Sequence, residues 1–385
     1  MLSHLKAYFT HPRSWAVGLV FVSMGFLFGN WVTLIPYIKA KFDLNDAQLG
    51  VLLLSMPFGS TFMNPFATLI INRFGMRHST IWGMAAMAIT YALPVSSPSI
   101  WLTSFSLVVT GMCLATTNVA MNTCVTAIEK HESRSIMSTS HGMFSVGGMV
   151  GAALSSFLIG LKTPPVIQVW AISLFIFVLA FAIQKIILSI YEEKNTDNGG
   201  SKFVWPTGPL LGMVAISLCT NVTEGIMADW SAIYMRDIVK ANSFFIGWGF
   251  AGYALLMATG RFVGDSLVPR FGSSRVLVFG GVLAVIGILV AVLLPYTYTT
   301  ILGFGIIGAG VSCGAPILYG SAARIPNMAK GAGLATMNTF SIAGFLAGPA
   351  IIGFLSNAFG LTIAISLIAL LGLCWATLAA KVKIY

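Results

Sequence analysis

The sequence predicts an all-α membrane protein, with twelve transmembrane helices in two parallel six-helix repeats. Three observations carry this prediction: the composition, the rhythm of apolar runs and an internal repeat. Of 385 residues, 57% are hydrophobic and only 8% charged, with a mean hydropathy of +0.89. A soluble domain is about 25% charged, and no soluble core of this size could hide so much apolar surface. At about 20 residues per span, the length accommodates about ten to twelve helices. The 40 glycines and 15 prolines are scattered through the apolar runs, where membrane helices pack closely or break.

Breaks at glycine, proline and charge divide the chain. The first six spans fall at roughly 14–38, 46–71, 78–95, 99–127, 136–161 and 166–190. The polar stretch YEEKNTDNGGSKFVWPT at 191–207 reads as a flexible linker. Six more spans follow at roughly 208–235, 243–268, 274–294, 298–320, 330–355 and 359–380. The expected organisation is therefore an N-terminal half at 1–190, a linker at 191–207 and a C-terminal half at 208–385. The first apolar run follows basic residues but has no small-residue cleavage site, so it is expected to be a retained helix.

Charge sets the orientation. With twelve spans both termini share a side. That side collects Lys6, Arg13, Arg73, Arg77, Lys130, Arg134, Lys185, Lys194, Lys202, Arg270, Arg275, Arg324, Lys330, Lys381 and Lys383. The other side has only Lys39, Lys41, Lys162, Arg236 and Lys240. Cationic loops stay in the cytoplasm, so both termini and the linker are expected there, in a cell inner membrane.

The two halves repeat. Asn30-Trp31 returns as Asp229-Trp230, and Gly50 as Gly247. Arg73-Phe74-Gly75 returns as Arg270-Phe271-Gly272, and FSVGG at 144–148 as FSIAG at 340–344. The offsets are 199, 197, 197 and 196 residues, nearly constant and spanning an even number of helices. Both copies therefore enter the membrane from the same side, the arrangement of two carrier halves about a central path.

The stretch TNVTEGIMADWSAIYMRD at 220–237 places two carboxylates, Glu224 and Asp229, inside an apolar span. An ionisable group at membrane depth costs several kcal/mol, so it is rare without a function. Five residues apart on a helix, the two are about 7.5 Å apart along the axis and roughly 140° around it. Asn221 precedes Glu224 by three residues and lies on its face. Desolvation penalises the charged carboxylate, as a proton carrier requires. Glu224 is nearer the middle of its span and is expected to couple protons ahead of Asp229. Structural hydrogen bonding between helices is the alternative role for both.

A second polar set is spread over other spans. Asn118 and Asn122 share a face at i, i+4 in the fourth span, and His141 lies early in the fifth. Asn30 and Trp31 are in the first, and Asn338 is in the eleventh. Packing glue and solute contact are both open to these amides. His141 has either a proton role or a place at the cytoplasmic mouth. The ring of Trp31 could stack on a sugar or anchor the helix.

Other chemistry finds no support. The basic residues lie in short gaps rather than a stripe, against nucleic acid. Cys113, Cys124, Cys219, Cys313 and Cys374 are isolated in apolar runs, with no metal spacing. No HExxH, nucleophile elbow or phosphate-binding glycine loop occurs, so neither an enzyme nor a cofactor is expected. Without an ATP-binding module, any pumping must use an ion gradient.

Twelve spans in two parallel halves, a polar central linker and an RFG loop after the second span of each half resemble the major facilitator superfamily over essentially the whole chain. That family's GxLADRFGRR signature is similar to residues 68–77, TLIINRFGMR, where Asn72 stands in place of the usual acid. The second copy, GRFVGD at 260–265 followed by Arg270-Phe271-Gly272, keeps its acid. The resemblance implies a cytoplasmic latch made of Asn72, Arg73, Arg77, Arg261, Asp265 and Arg270. It also implies that spans one, four, seven and ten line the cavity, which favours solute contact for Asn118 and Asn122. Glu224-Gly225 to Tyr234 is similar to the seventh-span pattern of the fucose–galactose–glucose proton symporters.

The expected function is proton-coupled movement of a small polar or sugar-like solute by alternating access, by a monomer in the bilayer. Alternatives are an exporter of amphipathic compounds and a non-transporting receptor or lipid-handling protein.

Overall fold

A computed structural model describes residues 8–132, 136–192, 204–326, 328 and 332–384, with backbone alone at 265, 335, 338, 342, 343, 345 and 346. Most of the linker, with Lys194 and Lys202, lies outside the described residues, as do Arg134 and Lys330. The described residues form twelve helical stretches and no strand. In the first half these are α1 (Pro12–Lys41), α2 (Asp46–Leu53) continuing as α3 (Ser55–Phe74), α4 (Met76–Ser96), α5 (Ile100–Glu132), α6 (Met137–Gly160), and α7 (Pro165–Ala182) with α8 (Gln184–Leu188). In the second they are α9 (Pro209–Asp237), a 3-10 turn (Ser243–Phe245) leading into α10 (Trp248–Phe271), α11 (Ser273–Leu293), α12 (Thr297–Val311) with α13 (Gly314–Ala322), α14 (Ala332–Phe359), and α15 (Leu361–Ile365) with α16 (Leu367–Lys381).

Local chemistry accounts for the ends and breaks. Proline opens α1, α7 and α9, where its missing N–H would be an orphan in any case. The second span breaks at Leu54 because Pro57 cannot donate to the Leu53 carbonyl four residues back, and the break before α13 has Pro316 above Ser312 in the same way. Ten candidate spans among the described residues are long and apolar enough to cross a bilayer. Met76–Ser96 is not among them, because Ser79, Thr80, Thr90 and Tyr91 dilute its hydropathy. The chain is thus an all-helical, multi-pass membrane protein.

Packing groups the helices into two compact units. The first comprises 1–44, 52–196 and 242–251; the second comprises 45–51, 197–241 and 252–385. Each therefore includes a short segment from the other half of the sequence. In unit 1, Gly247 N donates to Ser156 Oγ at 3.0 Å, and the ring of Phe250 lies 5.9 Å from that of Phe28. In unit 2, Ser356 donates to Asp46, and Gly50 lies against Pro349 and Gly353.

Helices within each unit meet at glycine. In unit 1 a Cβ on Gly25 or Gly29 would collide with the carbonyl oxygen of Phe144 or Gly148 in α6. Gly147 and Gly151 of α6 take the carbonyls of Val22 and Phe26 of α1 in return. In unit 2 the same device joins α11 to α12 through Gly287 and Gly303. Without a hydrophobic drive between helices in lipid, such close approach supplies the dispersion contacts that hold the bundle.

The repeated triplet folds the same way twice. Gly75 and Gly272 have φ of 80° and 84°. Their N–H groups bond Ile71 O at 2.8 Å and Val268 O at 2.9 Å. Arg73 lies over the Phe74 ring at 5.7 Å, and Arg270 over Phe271 at 5.3 Å. With ψ of 150°, Gly272 occupies backbone space open essentially to glycine alone. Gly272→Ala is therefore expected to lower stability by about 1–3 kcal/mol, measured as a fall in Tm of the detergent-purified protein. An unchanged Tm would mean that the corner relaxes without strain.

Candidate functional site

Unit 2 assembles a polar group inside its membrane-spanning helices. Glu224 is near the middle of α9, and Arg261 approaches it from α10. Arg261 Nη2 and Glu224 Oε1 are 3.8 Å apart, with side chains 16% and 27% exposed. The pair is an ion pair at a distance beyond hydrogen-bond contact. Tyr253 on α10 and Tyr319 on α13 lie within electrostatic reach of the Glu224 carboxylate.

One turn before Glu224, Asn221 Nδ2 donates to Ser217 Oγ at 3.0 Å. Ser217 Oγ meets Ser341 Oγ of α14 at 2.9 Å, and Tyr319 of α13 lies nearby. Glu224, Arg261, Asn221 and Tyr319 thus belong to one polar cluster drawn from α9, α10, α13 and α14. Its donors and acceptors are those a hydroxylated or amide-bearing solute would engage.

Asp229 stands apart. It is half-buried on α9 and has no hydrogen-bond or ion-pair partner among the described residues. The neighbouring Trp230 is fully buried, as is Tyr234, whose hydroxyl donates to Ala291 O at 3.2 Å. These two rings are packing elements of unit 2.

In unit 1, Asn30 and Trp31 are both buried, at 4% exposure each, and Asn30 Nδ2 has no partner among the described residues. Asn118 and Asn122 share a face: Asn122 Nδ2 donates to Asn118 Oδ1 at 2.9 Å, and Asn118 is exposed. His141 is half-buried, edge-on to Phe21 at 5.3 Å. The side chain of Asn338 lies outside the described residues.

Asn72, Arg73 and Arg270 are exposed. Arg77 pairs with Glu192 and donates to the Leu188 carbonyl at 2.6 Å, tying the RFG corner to the end of the sixth span inside unit 1. Arg261, assigned to the latch by its place in the motif, faces Glu224, and the side chain of Asp265 lies outside the described residues.

A further cluster has little signature in the sequence. Glu132, at the end of α5, pairs with His11 at 3.0 Å and Arg13 at 3.3 Å, and Arg13 lies 4.4 Å over the Tyr191 ring. Its only sequence signal is charge beside the ends of apolar runs.

The chain matches the sequence profile of the Major Facilitator Superfamily over residues 16–205 and 210–383. It is 32% identical over 353 residues to an uncharacterized MFS-type transporter of Yersinia pestis, covering 92% of this chain and 91% of that protein. It is 28% identical over 366 residues to the membrane protein MosC of Rhizobium meliloti, covering 93% and 87%. Among solved structures, a D-xylose-proton symporter superposes with a TM-score of 0.76 at 12% identity, over 96% of this chain and 97% of that one. The nucleoside transporter NupG (D323A mutant) gives 0.71 at 12% identity, over 97% and 100%.

Proposed function

The chain belongs to the Major Facilitator Superfamily, and from that premise we propose that this membrane transporter couples inward proton flow to a small polar or sugar-like solute. The moving bodies are the sequence halves 1–190 and 208–385, joined by 191–207, with both termini in the cytoplasm of a cell with an inner membrane. The protein works as a monomer.

The observation carrying this reading is the Glu224–Arg261 pair with its Asn221–Ser217–Ser341 chain, placed inside membrane helices. Charged groups there mark substrate or ion pathways. One span-seven carboxylate takes the proton. The other, with Asn221 and the amides of Asn30, Asn118, Asn122 and Asn338, binds the solute, while His141 and Trp31 shape its surroundings. The activities of the two structural neighbours, xylose–proton symport and nucleoside transport, fit this solute class.

Proteoliposomes containing the protein are expected to accumulate at least one of D-xylose, L-fucose, D-galactose and uridine under an inward proton gradient. A protonophore should abolish the accumulation. Absence of accumulation across the panel, or its survival after the protonophore, would refute the reading.

A further inference from the structure

We propose that Asp229 carries the coupling proton and that Glu224 does not, a division of labour that rests on the proton-coupled transport proposed above. Depth in the span favours Glu224. The surroundings of the two carboxylates reverse that order.

Glu224 has a countercharge. Arg261 lies 3.8 Å away, with Tyr253 and Tyr319 nearby and Asp265 one turn further along the arginine's helix, its side chain outside the described residues. Taking the charge from one member of such a pair leaves the other uncompensated in a poorly solvated place, and this opposes protonation of Glu224.

Asp229 has none. It makes no hydrogen bond or ion pair among the described residues, and its side chain keeps part of its surface free of protein. Besides α10, whose Arg261 is engaged with Glu224, the helices packed against α9 are α12, α13, α14, α15 and α16. Across their lengths α12 to α16 carry no Asp, Glu, His or Arg; their titratable groups are Tyr298, Tyr319, Cys374 and Lys381, the last being the final residue of α16. On α9 itself, Arg236 is engaged by Asp237 at 2.5 Å. An ionised Asp229 is therefore without a compensating neighbour on its own unit, and a bound proton removes that charge entirely.

The repeat isolates the function further. The first-half counterpart of Asp229 is Asn30, equally without a partner at Nδ2 but unable to titrate. Of these two equivalent positions, only the second-half one can exchange a proton.

Infrared difference spectroscopy of the full-length protein in liposomes tests this without requiring the solute. Titrating pH should produce a carbonyl stretch of protonated carboxyl that is missing from Asp229→Asn and retained in Glu224→Gln. In the panel assay, Asp229→Asn should lose gradient-driven accumulation, and its residual exchange should no longer respond to pH. A band lost in Glu224→Gln and kept in Asp229→Asn, or no titrating band in the parent, overturns the proposal. If the band behaves as expected but no panel solute moves, the solute reading fails and the assignment of Asp229 stands. Misfolding of Asp229→Asn is covered by Asp229→Glu, which should restore a band at a shifted position; a spectrum unchanged from the parent would again overturn the assignment.

Discussion

Arg261→Leu is expected to destabilise the protein by about 3 kcal/mol, the lower end of the effect of breaking a buried pair, because both side chains retain some exposure. The loss comes from Glu224, which, left without a compensating neighbour, either stays ionised at a cost or must take up a proton. The double variant Glu224→Gln/Arg261→Leu should recover most of the loss, since it removes both charges. The measurement is thermal unfolding in detergent for the parent, both single variants and the double. Strictly additive effects would mean that the two residues do not act on one another. Additivity is the expectation for distant sites, and coupling is the signature of a pair.

Gly25→Leu is expected to have a comparable or larger effect. Its Cβ would collide with Phe144 O and lie 2.9 Å from Gly148 N. Overpacking usually costs about 1–3 kcal/mol, but here the obstruction is backbone, which has no rotamer to change. The variant should lose monodispersity in detergent and show a lower Tm than Gly348→Ala, whose Cβ would meet only Val222 O at 3.8 Å. Equal behaviour of the two variants would show that α1 and α6 can separate freely.

The spans and the repeat are legible in the sequence because they depend on short-range properties. Apolarity, proline and the Arg-Phe-Gly triplet act over a few neighbours, and the triplet folds alike at Gly75 and Gly272. Glu224, Asp229 and Asn221 stand out because polar residues are conspicuous in an apolar run. The partner of Glu224 does not, because it arrives from a different helix whose rotation depends on packing. Motif neighbours assign Arg261 to the latch, and its place 3.8 Å from Glu224 shows only once the fold is formed. The two tryptophans show the same limit: an aromatic ring in a span can face a cavity or the interior, and Trp230 is fully buried. Asn118 and Asn122 meet the simpler expectation of sharing a face because a spacing of four fixes it. The Glu132 cluster is hidden for a further reason, since charges at helix ends are ordinary until three elements bring them together.

The glycine seam between α1 and α6 has a mechanical meaning. Interdigitated side chains can absorb sliding between helices by exchanging rotamers, like the teeth of a soft brush. A carbonyl seated in a glycine notch cannot, because neither part has a torsion to spare. Here the notches alternate in ownership, with Gly25 and Gly29 on one helix and Gly147 and Gly151 on the other. A slip by one residue, about 1.5 Å, would drive carbonyls toward side-chain-bearing positions in both directions at once. The two helices therefore behave as a single beam. A push on one end of α1 is delivered along α6 with little loss, and bending must be taken up elsewhere, at the proline-made breaks.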